Sequence, residues 1–149
     1  MFMSIPLIAL RKAIFILRQL KKKKIIEEFA LIGAVAMGIR GVPRATTDID
    51  FLVKRTKGIT VLDMKDHLRQ FTPKIFHEGI LRFYIREFPV DLLWTSSLRD
   101  MKILKETSSL RLSRLGKIRV ATLKGIIKMK RESQRLKDKL DIELIEEII

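Results

Sequence analysis

One stretch limits what this chain can fold into more than any other: Phe29 to Val53, FALIGAVAMGIRGVPRATTDIDFLV. An apolar run, Phe29-Ala30-Leu31-Ile32, has strand character and ends at Gly33. A short helical segment follows and stops at Gly41, Pro43 and Arg44 make a turn, and Thr46-Thr47 lead into Asp48-Ile49-Asp50, which continues as a strand through Phe51-Leu52-Val53. Side chains two apart on a strand share a side, so Asp48 and Asp50 project together with Ile49 buried behind them. Two carboxylates held this close repel unless a cation sits between them. A partly open, oxygen-rich site suits magnesium bound together with substrate phosphates. Gly33, at a strand end and helix start, lets backbone N–H groups approach phosphate oxygens.

The rest of the chain must supply a core and a partner for that site. Its 149 residues are enough for one compact α/β domain spanning 1–149, and a 47% apolar content excludes general disorder. The formal net charge of +14 favours polyanionic partners: nucleotides, RNA, an acidic protein or anionic lipid. Absence of cysteine excludes disulfides and thiolate metal sites and fits a reducing cytoplasm. Dense Lys, Arg and Ile also fit a heat-adapted source, in which part of the basic excess serves ion pairing.

Residues 1–24 are apolar enough to suggest a signal peptide or membrane span, but Arg11, Lys12 and Arg18 interrupt the run and the charge lies on the wrong side. Leu7, Leu10, Ile14 and Leu17 follow helical spacing, with Arg11, Arg18 and Gln19 on the other face. The spacing predicts an amphipathic helix packed on the domain, with Ser4 as cap, Pro6 in the first turn and Lys21 to Lys24 at its C-terminal end. Contact of this segment with nucleic acid or a membrane surface is the alternative.

The sheet core is predicted over 29–95. It comprises a strand at 29–33, a helix at 34–40, a strand at 48–54, and a helix at 61–70 with Val61, Met64, Leu68 and Phe71 on one face and a Thr60/Asp63 capping box. Lys74 to His77 reads as a strand, with Glu78-Gly79 as a hairpin turn. Leu81, Phe83 and Ile85 alternate with Arg82, Tyr84 and Arg86 as a half-exposed strand does. Pro89 breaks that run, and Val90 to Leu93 restarts it. The mainly helical part, 98–149, opens with a helix from Leu98 to Lys105. Thr107 to Gly116 reads as loop or frayed helix, and Lys117 to Val120 as a short strand. A helix capped by Thr122 runs to about Ser133, and Leu140, Leu144 and Ile148 mark a last helix.

Asp91, flanked by Val90 and Leu92, is a third acid inside an apolar strand, which is costly unless paired or metal-bound. Three carboxylates can flank two divalent ions, one on a triphosphate and one on an attacking hydroxyl. Each acid also has a structural explanation: Asp48 as a cap, Asp50 as an exposed strand acid, Asp91 as a hydrogen-bonded one. Lys130 and Arg135 alone describe a solvated helix face, and Asp138 and Asp141 charge the start of a helix. His67 and His77 lack metal-ligand spacing, and Trp94 fits a core better than a base-stacking platform.

Together the pattern resembles the signature of the nucleotidyltransferase superfamily, the group with a DNA polymerase beta-like core. That signature is a hydrophobic residue, Gly, then Gly or Ser, a gap, acid-x-acid, and a third acid on a later strand. Here Gly33-Ala34, the gap Val35 to Thr47, Asp48-Ile49-Asp50 and Asp91 occupy those places. The late run Lys130, Arg135, Lys137-Asp138 and Asp141 resembles that of small abortive-infection nucleotidyltransferases, which include toxin components of toxin–antitoxin systems. The resemblance implies a mixed sheet flanked by helices. It also implies Mg2+-dependent (or Mn2+-dependent) transfer of a nucleoside monophosphate from a nucleoside triphosphate to a hydroxyl of RNA, such as a tRNA end, or of protein. Asp48, Asp50 and Asp91 would be catalytic and metal-binding. Gly33, Ala34, Thr47, Lys130 and Asp138 would bind nucleotide, with Thr46 and Arg44 near phosphate. An antitoxin partner or a homo-oligomer would complete the substrate surface.

Ala34 departs from the pattern. It keeps the backbone donor, removes a hydroxyl that can meet phosphate, and disfavours positive φ. An inactive module of the same fold that binds RNA or protein through its basic surface is therefore the alternative function.

Overall fold

The computed structural model describes residues 7–77, 79–132 and 135–149. The expected cap Ser4, Pro6, the turn residue Glu78 and the helix end at Ser133 lie outside them. The chain runs α1 (Leu7–Lys22), β1 (Ile26–Ile32), α2 (Gly33–Ile39), β2 (Ile49–Arg55), α3 (Val61–His67), β3 (Lys74–Ile75), β4 (Leu81–Ile85), β5 (Phe88–Trp94), α4 (Leu98–Lys105), β6 (Ser108–Leu112), β7 (Gly116–Val120), α5 (Leu123–Arg131) and α6 (Leu136–Ile148). The seven strands form one mixed sheet in the order β3-β4-β5-β2-β1-β7-β6. β2 is antiparallel to β1 and parallel to β5, and β1 is parallel to β7.

Central position explains the sequence of β2. Ile49, Phe51, Leu52 and Val53 are all buried, because helices cover the strand from both sides. α1 packs with Leu10, Ile14 and Leu17 fully buried, each contributing about 2 kcal/mol of transfer free energy. Its apolar stripe is thereby committed to the core, although Leu7, at its start, is 38% exposed. Among the described residues no helix is long and apolar enough to cross a membrane. α1 ends with Lys24 at φ 62°, Ile25 N–H bonding to Leu20 O at 2.9 Å and Lys24 N–H to Lys21 O at 3.0 Å. This left-handed exit is one that glycine usually takes. The guanidinium of Arg18 donates to the carbonyls of Leu115 and Lys117, at 2.9 and 2.7 Å, and so ties α1 to the β6–β7 turn.

The capping box at α3 forms, with Asp63 N–H to Thr60 Oγ1 at 3.1 Å and Thr60 N–H to Asp63 Oδ2 at 2.8 Å. The helix stops at His67, and one 3-10 turn, Arg69–Phe71, replaces its expected last turn.

Three expectations need correction. Pro89 does not break its strand. It lies within β5 at the pair Tyr84↔Pro89, next to the pair Ile85↔Phe88 that flanks a two-residue turn. The ladder to β2 begins only at Ile49↔Val90, so the ring nitrogen has no ladder bond to forfeit. The segment expected as loop or frayed helix contains β6, a hairpin partner of β7 paired from Ser108↔Val120 to Leu112↔Gly116. Its Ser and Arg residues fit an edge strand, which is seldom strongly apolar. Finally, α6 buries the opposite face from the one its leucines mark. Asp138, Asp141 and Ile145 point inward, while Leu140, Leu144 and Ile148 are 49%, 43% and 54% exposed.

Candidate active site

The site begins as a row of side chains across the sheet. Strand register sets Ile32 of β1 opposite Asp50 of β2, Asp50 opposite Asp91 of β5, and Asp91 opposite Arg82 of β4. Residues in register on neighbouring strands project to the same face. Asp91 therefore stands on the same side of the sheet as Asp50. Asp48 precedes the first residue of β2, and a hydroxyl-rich turn fixes it. Its N–H donates to Thr46 Oγ1 at 3.2 Å, and Thr47 Oγ1 donates to Asp48 Oδ1 at 3.1 Å.

Gly33 opens α2 directly above this row. Its φ of 69° lies in the left-handed region, and a Cβ placed there would strike the Asp50 carboxylate, with Cγ only 3.2 Å away. Glycine is thus required twice, by the backbone and by the close approach of the acid.

Electrostatics follow from the packing. Burial pushes the Asp50 carboxyl up to about 7, with repulsion from Asp91 and then Asp48 adding to it, while Lys130 and Lys137 pull it back. Arg82 answers part of that charge. Its Nε lies 2.6 Å from Asp91 Oδ1 and its Nη2 2.9 Å from Asp91 Oδ2, a bidentate pair, and Nη2 is 3.7 Å from Asp48 Oδ2. The hydrogen bonds to Asp91, followed by the fields of Asp91 and Asp48, hold this guanidinium above its ordinary range. The guanidinium of Arg82 also lies over Phe76, whose ring centre is 5.3 Å from its Cζ.

α5 and α6 bring a second charge cluster over the same face. Lys130 Nζ is 2.9 Å from both Asp138 Oδ1 and Asp141 Oδ2. Arg135 meets Asp138 Oδ2 at 2.9 Å, and Arg44 meets Asp141 Oδ1 at 2.7 Å. The two buried acids explain why α6 turns its leucines outward: carboxylates can be buried here because three cations neutralise them. Arg44, expected near phosphate, is instead engaged with Asp141, and Lys130 is held between two carboxylates.

Between the row and the cluster lies a cleft of about 350 Å³, lined among others by Gly33, Asp48, Asp50, Asp91, Arg82, Lys130, Arg135, Lys137 and Asp138. Six of the eight expected site residues therefore share one cavity. Thr47 and Ala34 are not among its walls. Thr47 holds Asp48, and Ala34 is buried at 5% exposure in the first turn of α2. Arg82 was not anticipated. Its only signal was a cation alternating on a half-exposed strand, which does not say what lies opposite. Trp94 packs partly against the core, with Arg55 Cζ 5.0 Å over its ring.

Among the described residues no three carboxylate or imidazole groups are gathered closely enough to enclose a metal ion. The donor set nevertheless fits a hard divalent cation. Asp48 and Asp91 both reach for one positive group, and Asp50, raised chiefly by burial and then by the charges of Asp91 and Asp48, lies beside them. The positive group between Asp48 and Asp91 is the guanidinium of Arg82.

No family model matches the sequence, and no curated protein is significantly similar to it. Solved structures do match. A candidate nucleotidyltransferase from Thermotoga maritima aligns with TM-score 0.63 at 16% identity, covering 95% of this chain and 94% of that one. The antibiotic-resistance factor ANT(2'')-Ia aligns with TM-score 0.51 at 12% identity, covering 90% and 82%. At such identities the likeness concerns architecture alone: a mixed seven-stranded sheet with flanking and C-terminal helices, the nucleotidyltransferase fold.

Proposed function

We propose that this chain is a metal-dependent nucleotidyltransferase. The observation that carries the proposal is the alignment of Asp50 with Asp91 on neighbouring strands, beside Asp48 and under Gly33, in one cleft with Lys130. Asp48, Asp50 and Asp91 would hold Mg2+ or Mn2+. When bound, the ion supplies Lewis-acid neutralisation of the triphosphate and lowers the pKa of the attacking hydroxyl. In the transfer, the acceptor oxygen bonds to the α-phosphorus, the bond to the β-phosphate oxygen breaks, and pyrophosphate leaves with that electron pair. Asp91 is the carboxylate assigned to the acceptor proton. Lys130, oriented by Asp138 and Asp141, adds a fixed positive charge for phosphate, and Lys137 and Arg135 extend that potential along the cleft wall. Gly33 lets the Asp50 carboxylate lie close against the backbone at the start of α2.

The net charge of +14 favours RNA, including a tRNA end, as acceptor, with a protein hydroxyl as the other class. A role in a toxin–antitoxin pair is supported by the late Lys-Arg-Lys-Asp-Asp pattern. One observation favours a second reading, a non-catalytic RNA- or protein-binding module: Arg82 occupies the place where the acids would take their metal.

The test is incubation with each α-labelled nucleoside triphosphate, Mg2+, and total RNA or protein. Label entering a polymer, and lost in Asp48→Asn, supports transfer. No incorporation, with salt-sensitive RNA binding that survives Asp48→Asn, supports the module.

A further inference from the structure

We propose that α6 is a self-pairing helix through which two copies of this chain associate antiparallel. Leu136, Leu140, Leu144 and Ile148 are spaced four apart and are 71%, 49%, 43% and 54% exposed. They form an apolar row with i, i+4 spacing along α6, separate from its buried residues Asp138, Asp141 and Ile145. A helix of a globular domain usually places such a strip in the core. Here the two inward acids take that place, and no described residue covers the strip.

Charge selects the occupant. The residues flanking the strip on one side change sign along the helix: Lys139 near its start, Glu143 and Glu146 toward its end, all exposed. Glu146 has Arg131 4.0 Å away across the α5–α6 pair, and Glu143 has no cation among the ion pairs given by the described residues. Two antiparallel copies related by a two-fold axis near Ile142 set Leu140 against Leu144 of the other copy and Leu136 against Ile148. In antiparallel helix pairs the same flank of each helix meets, so Lys139 of one copy lies beside Glu143 and Glu146 of the other. The strip and its flank are therefore complementary to themselves, as an isologous interface requires.

The experiment is sedimentation velocity of the full chain from low to high micromolar concentration, with thermal unfolding to confirm that each variant is folded. The wild type is expected to shift from monomer to dimer, and Leu144→Asp to remain monomeric. Lys139→Glu should raise the dissociation constant about tenfold, since each contact is made twice, and Lys139→Glu with Glu143→Lys in the same chain should restore it. A wild type that stays monomeric throughout overturns the proposal. So does a dimer indifferent to Leu144→Asp, or a double reversal that weakens association further. Sedimentation needs no nucleotide, so failure here and failure of the transferase reading are read separately.

Discussion

Replacing Arg82 by leucine separates its two consequences, for folding and for the cation site. The side chain makes two charge-assisted hydrogen bonds to Asp91, at 2.6 and 2.9 Å, and leans on Asp48. Leucine keeps part of the apolar stem and deletes the charge, including its contact with the Phe76 ring. Removing one partner of a buried pair costs about 3–5 kcal/mol. Arg82 is 27% and Asp91 12% exposed, so water recovers part of that, and about 2–3 kcal/mol is expected with a chelator present. For a chain of this length that lowers Tm by about 4–12 °C. Divalent ions should then act in opposite proportion. In the wild type they compete with a guanidinium for Asp91 and Asp48, whereas in Arg82→Leu that competitor is gone. Mn2+ affinity, followed by electron paramagnetic resonance, should tighten at least tenfold, about 1.4 kcal/mol, and Mg2+ should raise Tm more in the variant than in the wild type. Equal melting in chelator, or equal gains from metal, would refute this account of the site.

Gly33→Ala should destabilise by about 2–3 kcal/mol, from the left-handed φ of 69° and the collision with the Asp50 carboxylate; chemical denaturation with an unchanged midpoint would show that neither matters. Asp50 titrates near 7 when folded and near 3.8 when unfolded, so between those values the folded state holds the extra proton. Its contribution to stability is therefore full below about pH 4, declines as pH rises to about 7 and is flat above, in metal-free buffer; denaturation midpoints of wild type and Asp50→Asn across that range should differ in slope. The same linkage predicts proton release when metal binds at pH 6 to 7, measurable as a buffer-dependent heat in calorimetry. Lys24→Gly should stabilise by about 1 kcal/mol by relieving the left-handed residue that ends α1, and a loss of stability would count against that exit geometry.

The local code of this chain was readable where period and punctuation agree. The run Phe29 to Ile32, Gly33, and the apolar run from Ile49 around Asp50 specify a strand, a turn into a helix, and a second strand carrying one acid with Asp48 just before it, because side-chain direction follows from backbone period. The capping box at Thr60 and the helix Leu98–Lys105 were legible for the same reason. Asp91 stood out because an acid within Val-Asp-Leu-Leu has no cheap burial without a partner.

Tertiary structure decided who that partner is. Strand order places β4 beside β5, and only this makes Arg82 the cross-strand neighbour of Asp91. It also decided the orientation of α6. Leu140, Leu144 and Ile148 marked the helix by their period, yet Asp138 and Asp141 find Lys130 and Arg135 nearby and Arg44 from far along the chain, and the helix turns accordingly. β6 was likewise invisible until β7 paired with it. A sequence determines which side chains share a face of one element. Which faces then meet depends on contacts between residues far apart in the chain, where one ion pair in the right place outweighs the local pattern.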